Sequence, residues 1–137
     1  MESIRSHLKL TNAIDEALVS RGLLASINLR QCEVEGLVDT GAVTLVISRD
    51  IVELLGLRIR GQRMAQYANG YEENIGVTEP IICECLGRET TVEALVVGDE
   101  VLIGQVVLEQ LDLLADCKNQ QLIPNPKHPD YPVAIIK

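Results

Sequence analysis

Leu37-Val38-Asp39-Thr40-Gly41-Ala42-Val43-Thr44-Leu45-Val46-Ile47-Ser48 sets a carboxylate, a hydroxyl and a glycine between two apolar, β-branched runs. Runs of that composition and length read as buried strands, so the polar residues occupy a turn at the edge of a core. An ionised Asp39 in that place is costly unless it is hydrogen-bonded or put to use. Gly41 permits a tight turn there and lets another backbone come close.

The chain echoes this stretch once. Leu45-Val46-Ile47-Ser48 returns as Val101-Leu102-Ile103-Gly104, Ile51-Val52-Glu53 as Val107-Leu108-Glu109, and Leu55 and Leu57 as Leu111 and Leu113. Both copies read as a buried strand, a small residue and a short amphipathic helix, the mark of a duplicated supersecondary unit. Only the first copy carries the aspartate, because positions 95–97 of the second read Leu-Val-Val.

Around these landmarks, Ile4, Ser6, Leu8 and Leu10 alternate with polar residues as in a half-buried strand. Asn12 caps an expected helix over 13–20 that stops at Gly22, and Ser48 caps one over 49–55 that stops at Gly56, with Asp50 suited to the helix dipole. Residues 24–29 and 32–38 read as strands, and 58–63 as a basic connector. Asn69-Gly70, between Gln66-Tyr67-Ala68 and Tyr71-Glu72-Glu73, reads as the type I′ tip of a hairpin. Residues 80–86 and 90–97 form an expected strand pair turning at Gly87-Arg88. A strand over 101–103, a helix over 106–113, a hairpin turn over 116–121 and a last apolar strand over 133–136 complete the reading.

At 137 residues the chain is expected to be one domain, 1–137. With no Trp or Phe and three Tyr, its core must be aliphatic, which favours a mainly β fold. A net charge of −8 and scarce aromatics argue against nucleic acid or an anionic membrane as partner. No apolar run reaches the roughly 18 residues of a membrane span. The start, Met1-Glu2-Ser3-Ile4-Arg5, lacks the apolar core of a secretory signal, so a cytoplasmic location is expected. Cys32, Cys83, Cys85 and Cys117 form no C-x-x-C pair and His7 and His128 lie far apart, so no metal site is expected. The thiols read as reduced, semi-buried small hydrophobes with Cys83 and Cys85 on one strand face, and His128 as a surface loop residue.

The Asp39-Thr40-Gly41-Ala42 loop, Leu102-Ile103-Gly104 before a helix, and the closing segment from Leu114-Ala115-Asp116-Cys117 to Leu122-Ile123-Pro124-Asn125-Pro126 resemble the retropepsin-like aspartic proteases, most closely their soluble, single-domain prokaryotic-type members. The resemblance implies an acid-protease barrel of duplicated strand-loop-helix halves with two or three short helices. It implies that Asp39 is catalytic, that Thr40 hydroxyls bond across a two-fold axis, that Gly41 admits substrate backbone, and that Leu102, Ile103 and Gly104 support the pocket. Tyr67, Ala68, Asn69, Gly70 and Tyr71 would form a flap closing over a bound peptide and excluding water. Val43 departs from the family, which more often has a polar or acidic residue there.

Such chemistry needs two carboxylates about 3 Å apart sharing a proton. One holds and deprotonates a water while the other hydrogen-bonds the scissile carbonyl. This chain offers one Asp-Thr-Gly, so the second carboxylate must be Asp39 of another copy, and a homodimer acting on peptide or protein without a cofactor is expected. A protease-like dimerisation or peptide-binding module that no longer cleaves is the alternative, since fold alone never establishes activity. A small-molecule binder on an unrelated β-barrel is a further one, to which the internal repeat lends nothing.

Overall fold

Alternation at the N-terminus becomes strand β1 (Arg5–Asn12) in the computed structural model, which describes residues 3–136. Met1 and Glu2, within the start read as lacking a signal core, and Lys137 lie outside the described residues. Asn12 ends β1 and caps helix α1 (Ala13–Ser20), its side chain accepting from the Asp15 amide. Strands β2 (Gln31–Val38) and β3 (Leu45–Ile47) flank the Asp39 loop, and Ser48 caps helix α2 (Arg49–Leu55) through the Ile51 amide. There follow β4 (Ile59–Gln66), β5 (Glu72–Thr78), β6 (Ile81–Cys85), β7 (Arg88–Val92), β8 (Ala94–Val96), β9 (Val101–Ile103), helix α3 (Gln105–Leu111), β10 (Leu113–Asp116) and β11 (Gln121–Pro124).

Nine strands form one sheet in the order β4-β5-β8-β3-β9-β2-β1-β6-β7, and β10-β11 stand apart as a hairpin. The fold is mainly β, as expected. Among the described residues the two edge strands do not pair with each other, so the expected barrel is not closed by hydrogen bonds. No helix among them is long and apolar enough to cross a membrane. Leu8, Leu10, Leu45, Ile47, Leu55, Ile81, Ile103 and Leu111 are fully enclosed, making the aliphatic core that the composition demands. Cys83 and Cys85 join it from β6, and burial pushes the Cys83 thiol up to about 12.

A three-residue strand followed by a seven-residue helix occurs twice, as β3 with α2 and as β9 with α3. Strand β2 runs parallel to β9, with Leu37 beside Leu102, and β8 runs parallel to β3, with Leu95 beside Val46. Val46 and Leu102 then pair antiparallel at the centre.

Several local expectations fail. Residues 24–29 are not a strand but a loop with one 3₁₀ turn, Ser26–Asn28; Ile27 is 90% exposed, and no neighbouring strand accepts this segment. The basic connector over 58–63 is the start of β4, unrecognisable by alternation because its residues there are exposed on both faces. Residues 90–97 split at Glu93: β7 pairs with β6 at a sheet edge, whereas β8 crosses to lie between β5 and β3. The turn before β7 is made by Leu86 and Gly87, both at positive φ, and Arg88 begins the strand. Helix α3 ends at Leu111 because Asp112 takes the left-handed conformation, leaving Leu113 to start β10. Residues 133–136 form no strand, and Ile135 and Ile136 have no pairing partner among the described residues and stay 89% and 87% exposed.

His128 is not a free surface residue. Its Nδ1 lies 2.6 Å from Asp112 Oδ2, and the same carboxylate accepts from Asn125 and the Val133 amide. The Asn125 bond, with those of Val133 and His128, holds the Asp112 carboxyl below its ordinary value. Buried Arg88 donates to the Leu111 and Asp112 carbonyls beside it. Together these bonds fasten the C-terminal segment to the end of α3.

Candidate active site

The chain leaves β2 at Val38 and turns at once. The Asp39 amide donates to the Ile103 carbonyl at 3.0 Å, which anchors the loop to β9, and the Ala42 amide returns to the Asp39 carbonyl at 3.1 Å. The Asp39 side chain faces its own loop as an acceptor, with Oδ1 2.9 Å from the Gly41 amide. Helix α3 holds the far side: the Gln105 and Val106 amides donate to the Ala42 and Val43 carbonyls at 2.9 and 3.0 Å. Gly104 makes this clasp possible, because a Cβ there would lie 2.1 Å from the Thr44 carbonyl oxygen.

The second strand–strand–helix unit repeats the anchor with its partners exchanged. The Val97 amide donates to the Ile47 carbonyl at 3.1 Å, as the Asp39 amide does to Ile103. Val97 thus makes from the end of β8 the kind of bond that Asp39 makes from the end of β2. The loop over 97–100 is shorter than the loop over 39–44.

Strands β4 and β5 form the expected hairpin, and it overhangs the Asp39 loop. A cleft of about 540 Å³ lies between them, bordered by Asp39, Gly41 and Ala42 on one side and by the hairpin as far as Tyr67 and Ala68 on the other. Val46, Ile75, Leu95 and Leu102 give it an apolar floor, and Val97 borders it as well. The hairpin tip is not the expected type I′ turn. Asn69 is not at positive φ, whereas Gly70 is at 85°. The Gly70 amide bonds to the Tyr67 carbonyl and the Tyr67 amide to the Tyr71 carbonyl, so the loop is a three-residue turn ending in a left-handed glycine. Tyr67 and Tyr71 stack at 5.8 Å across its base. The Tyr67 hydroxyl donates to Glu73 at 2.6 Å, a bond that raises its pKa.

The expected site residues thus separate into groups. Asp39, Gly41, Ala42, Tyr67, Ala68 and Leu102 border one cleft, whereas Asn69, Gly70 and Tyr71 sit at the tip beyond it. Ile103 is enclosed behind the loop and Gly104 packs beneath it. Thr40 is exposed and borders a different depression of about 490 Å³ with Gln105, Leu108, Leu114, Val133 and Ile135. Sequence reasoning missed Arg63 as a cleft residue because 58–63 reads as a connector, and Met64, Ala65 and Gln66 because the expected flap begins only at Tyr67. The signal for them was the hairpin itself, which extended back from Gln66 places its arm beside the loop. Among the described residues, no three His, Cys, Asp or Glu side chains converge as metal ligands.

Residues 25–79, from before β2 to the end of the hairpin, match the family model described as "Aspartyl protease". The match takes in the Asp39 loop, β3, α2 and both hairpin arms, and spans less than half of the chain. It supports the retropepsin-like aspartyl protease family that the Asp39-Thr40-Gly41-Ala42 motif resembles, and with it a peptidase. No curated protein matches the chain.

Proposed function

We propose that the protein is an aspartic endopeptidase that works as a homodimer, with Asp39 of each copy supplying one carboxylate of the catalytic pair. The observation that carries this reading is Asp39 presented at the border of a cleft overhung by the β4–β5 hairpin. A peptide lying in that cleft has an apolar floor for its side chains and a carboxylate at its edge. Val97 at the counterpart position of the second unit supports the need for another copy, because one chain then holds half of the required pair. The exchanged pairings of β2 with β9 and β8 with β3 support a reading as two duplicated halves.

In the dimer, one Asp39 deprotonates a water that attacks the scissile carbonyl. The other, protonated, donates to the carbonyl oxygen as charge develops, and the roles reverse to protonate the departing amine. Thr40, whose hydroxyl has no hydrogen-bond partner among the described residues, bonds across the two-fold axis. Gly41 and Ala42 pass beneath the peptide backbone, Leu102, Ile103 and Gly104 hold the loop from behind, and the hairpin closes over the peptide.

The test is incubation with a peptide library at mildly acid pH, with and without an aspartic-protease inhibitor, beside Asp39→Asn. Cleavage that the inhibitor and the variant both abolish is expected, because the replacement is nearly isosteric and removes only the titrating group. Cleavage that persists in Asp39→Asn overturns the assignment.

A further inference from the structure

The arginine run at the start of β4 resolves into two paired residues and one unpaired. Arg58 is taken by Glu79 at 2.9 Å and Arg60 lies 3.5 Å from Glu93. Among the described residues, no carboxylate lies within ion-pair distance of Arg63 and no acceptor bonds its guanidinium. The carboxylates that border the same depressions as Arg63 are engaged elsewhere: Asp39 accepts from the Gly41 amide, and Glu93 lies beside Arg60.

Register places Arg63 on the cleft side. It lies opposite Ile75, and residues directly opposite in an antiparallel pair share a face. Ile75 is buried in the cleft floor, so alternation puts a cation where the hairpin otherwise turns its apolar side inward. Arg63 also borders a second depression, of about 310 Å³, as do Val43 and Leu95. The two depressions therefore share Arg63, Val43 and Leu95 as a common border, so an extended peptide reaching from Asp39 toward the second would pass the Arg63 guanidinium.

We propose that Arg63 is a specificity-determining residue that selects an acidic side chain of the bound peptide, a few residues from the bond presented to Asp39. This rests on the peptidase reading above and names the substrate class for the same cleft. A chain of net charge −8 repels acidic peptides in general, so a preference for an acidic side chain at one position would report a local cation. A guanidinium meets a carboxylate through two parallel hydrogen bonds, which a neutral amide cannot match.

Peptides blocked at both ends and differing only by Glu, Gln or Lys at one position, scanned along the sequence, provide the test. The wild-type protein should favour Glu over Gln by roughly tenfold in kcat/KM at one position, and the preference should shrink in about 0.5 M salt. Arg63→Gln should bring the ratio to about one and Arg63→Glu should turn it toward Lys. Arg63 is exposed and makes no internal bond among the described residues, so melting curves should show both variants folded. The same peptides are titrated onto Asp39→Asn by fluorescence anisotropy. Glu-selective binding there, without cleavage by the wild type, overturns the peptidase reading and leaves the Arg63 assignment standing. Cleavage with no acid preference, or one that survives Arg63→Gln, overturns the Arg63 assignment alone; neither binding nor cleavage overturns both.

Discussion

Gly104 and Thr44 approach so closely that a single methyl group on Gly104 would meet the Thr44 carbonyl oxygen at 2.1 Å and the Ala42 carbonyl oxygen at 2.7 Å. Both obstacles are backbone, which cannot swing aside as a side chain would. Gly104→Ala must push the Asp39 loop away from α3 and stretch the bonds from Gln105 and Val106 that hold it. We expect a loss of roughly 3 kcal/mol, read as a fall of about 10 °C in Tm. An alanine variant that melts with the wild type would show that this clasp is loose.

Asp15 links the start of the chain to the connection before β2. Its nearly enclosed carboxylate accepts from the Arg30 amide, Nε and Nη2 at 3.1, 2.8 and 2.9 Å. The Arg30 side-chain bonds outweigh the opposing effect of burial and hold the Asp15 carboxyl below its ordinary value. A carboxyl depressed in the folded state stabilises the protein above its unfolded pKa, near 3.9, and that stabilisation is lost as pH falls through the folded value. Asp15→Asn should therefore cost about 2 kcal/mol at neutral pH, and the gap from the wild type should close below about pH 4. Denaturant unfolding at several pH values checks it, and a gap that stays constant into acid would count against the ion pair.

The hairpin tip over residues 68–71 should exchange its amide hydrogens far faster than Leu45–Ile47. The tip rests on one tyrosine stack and a short turn, while β3 is enclosed at the centre of the sheet. Local opening of so lightly held a segment costs little. Equal protection at the two sites, without ligand, would argue against a hairpin that opens and closes.

What was legible in sequence was what local chemistry decides. Asn12 and Ser48 announce their helices because each side chain satisfies an amide of the next turn. The Asp39 loop stood out because a carboxylate between apolar runs conflicts with burial. What escaped was set by distant pairing. Residues 90–97 read as one β-branched run, and only the sheet order reveals that the chain breaks at Glu93 to cross from an edge to the centre. Ile27 misled because an apolar residue need not be buried, and it remains exposed. Arg63 became a cleft residue through its register with Ile75. The likeness of the Val97 and Asp39 amide bonds, to Ile47 and Ile103, likewise emerges only from strand pairing.

A mixing experiment tests the shared site most directly. If each active site takes Asp39 from two copies, a dimer of one wild-type chain and one Asp39→Asn chain holds a single titrating carboxylate and should not turn over. With equal amounts and free exchange, about a quarter of the dimers are wild type on both sides. Total activity should then fall to about half of what the same wild-type protein gives alone, because half of its chains sit in mixed dimers. Against wild-type protein at equal total concentration, a comparison that keeps dimer dissociation out of the result, the same mixture should give about a quarter of the activity. Each Asp39→Asn chain keeps Gly41, Ala42, Arg63 and the hairpin, so peptide binding by the mixture should hold while turnover drops. Activity that simply tracks the amount of wild-type chain would mean that one Asp39 suffices, and the two-fold site would have to be abandoned.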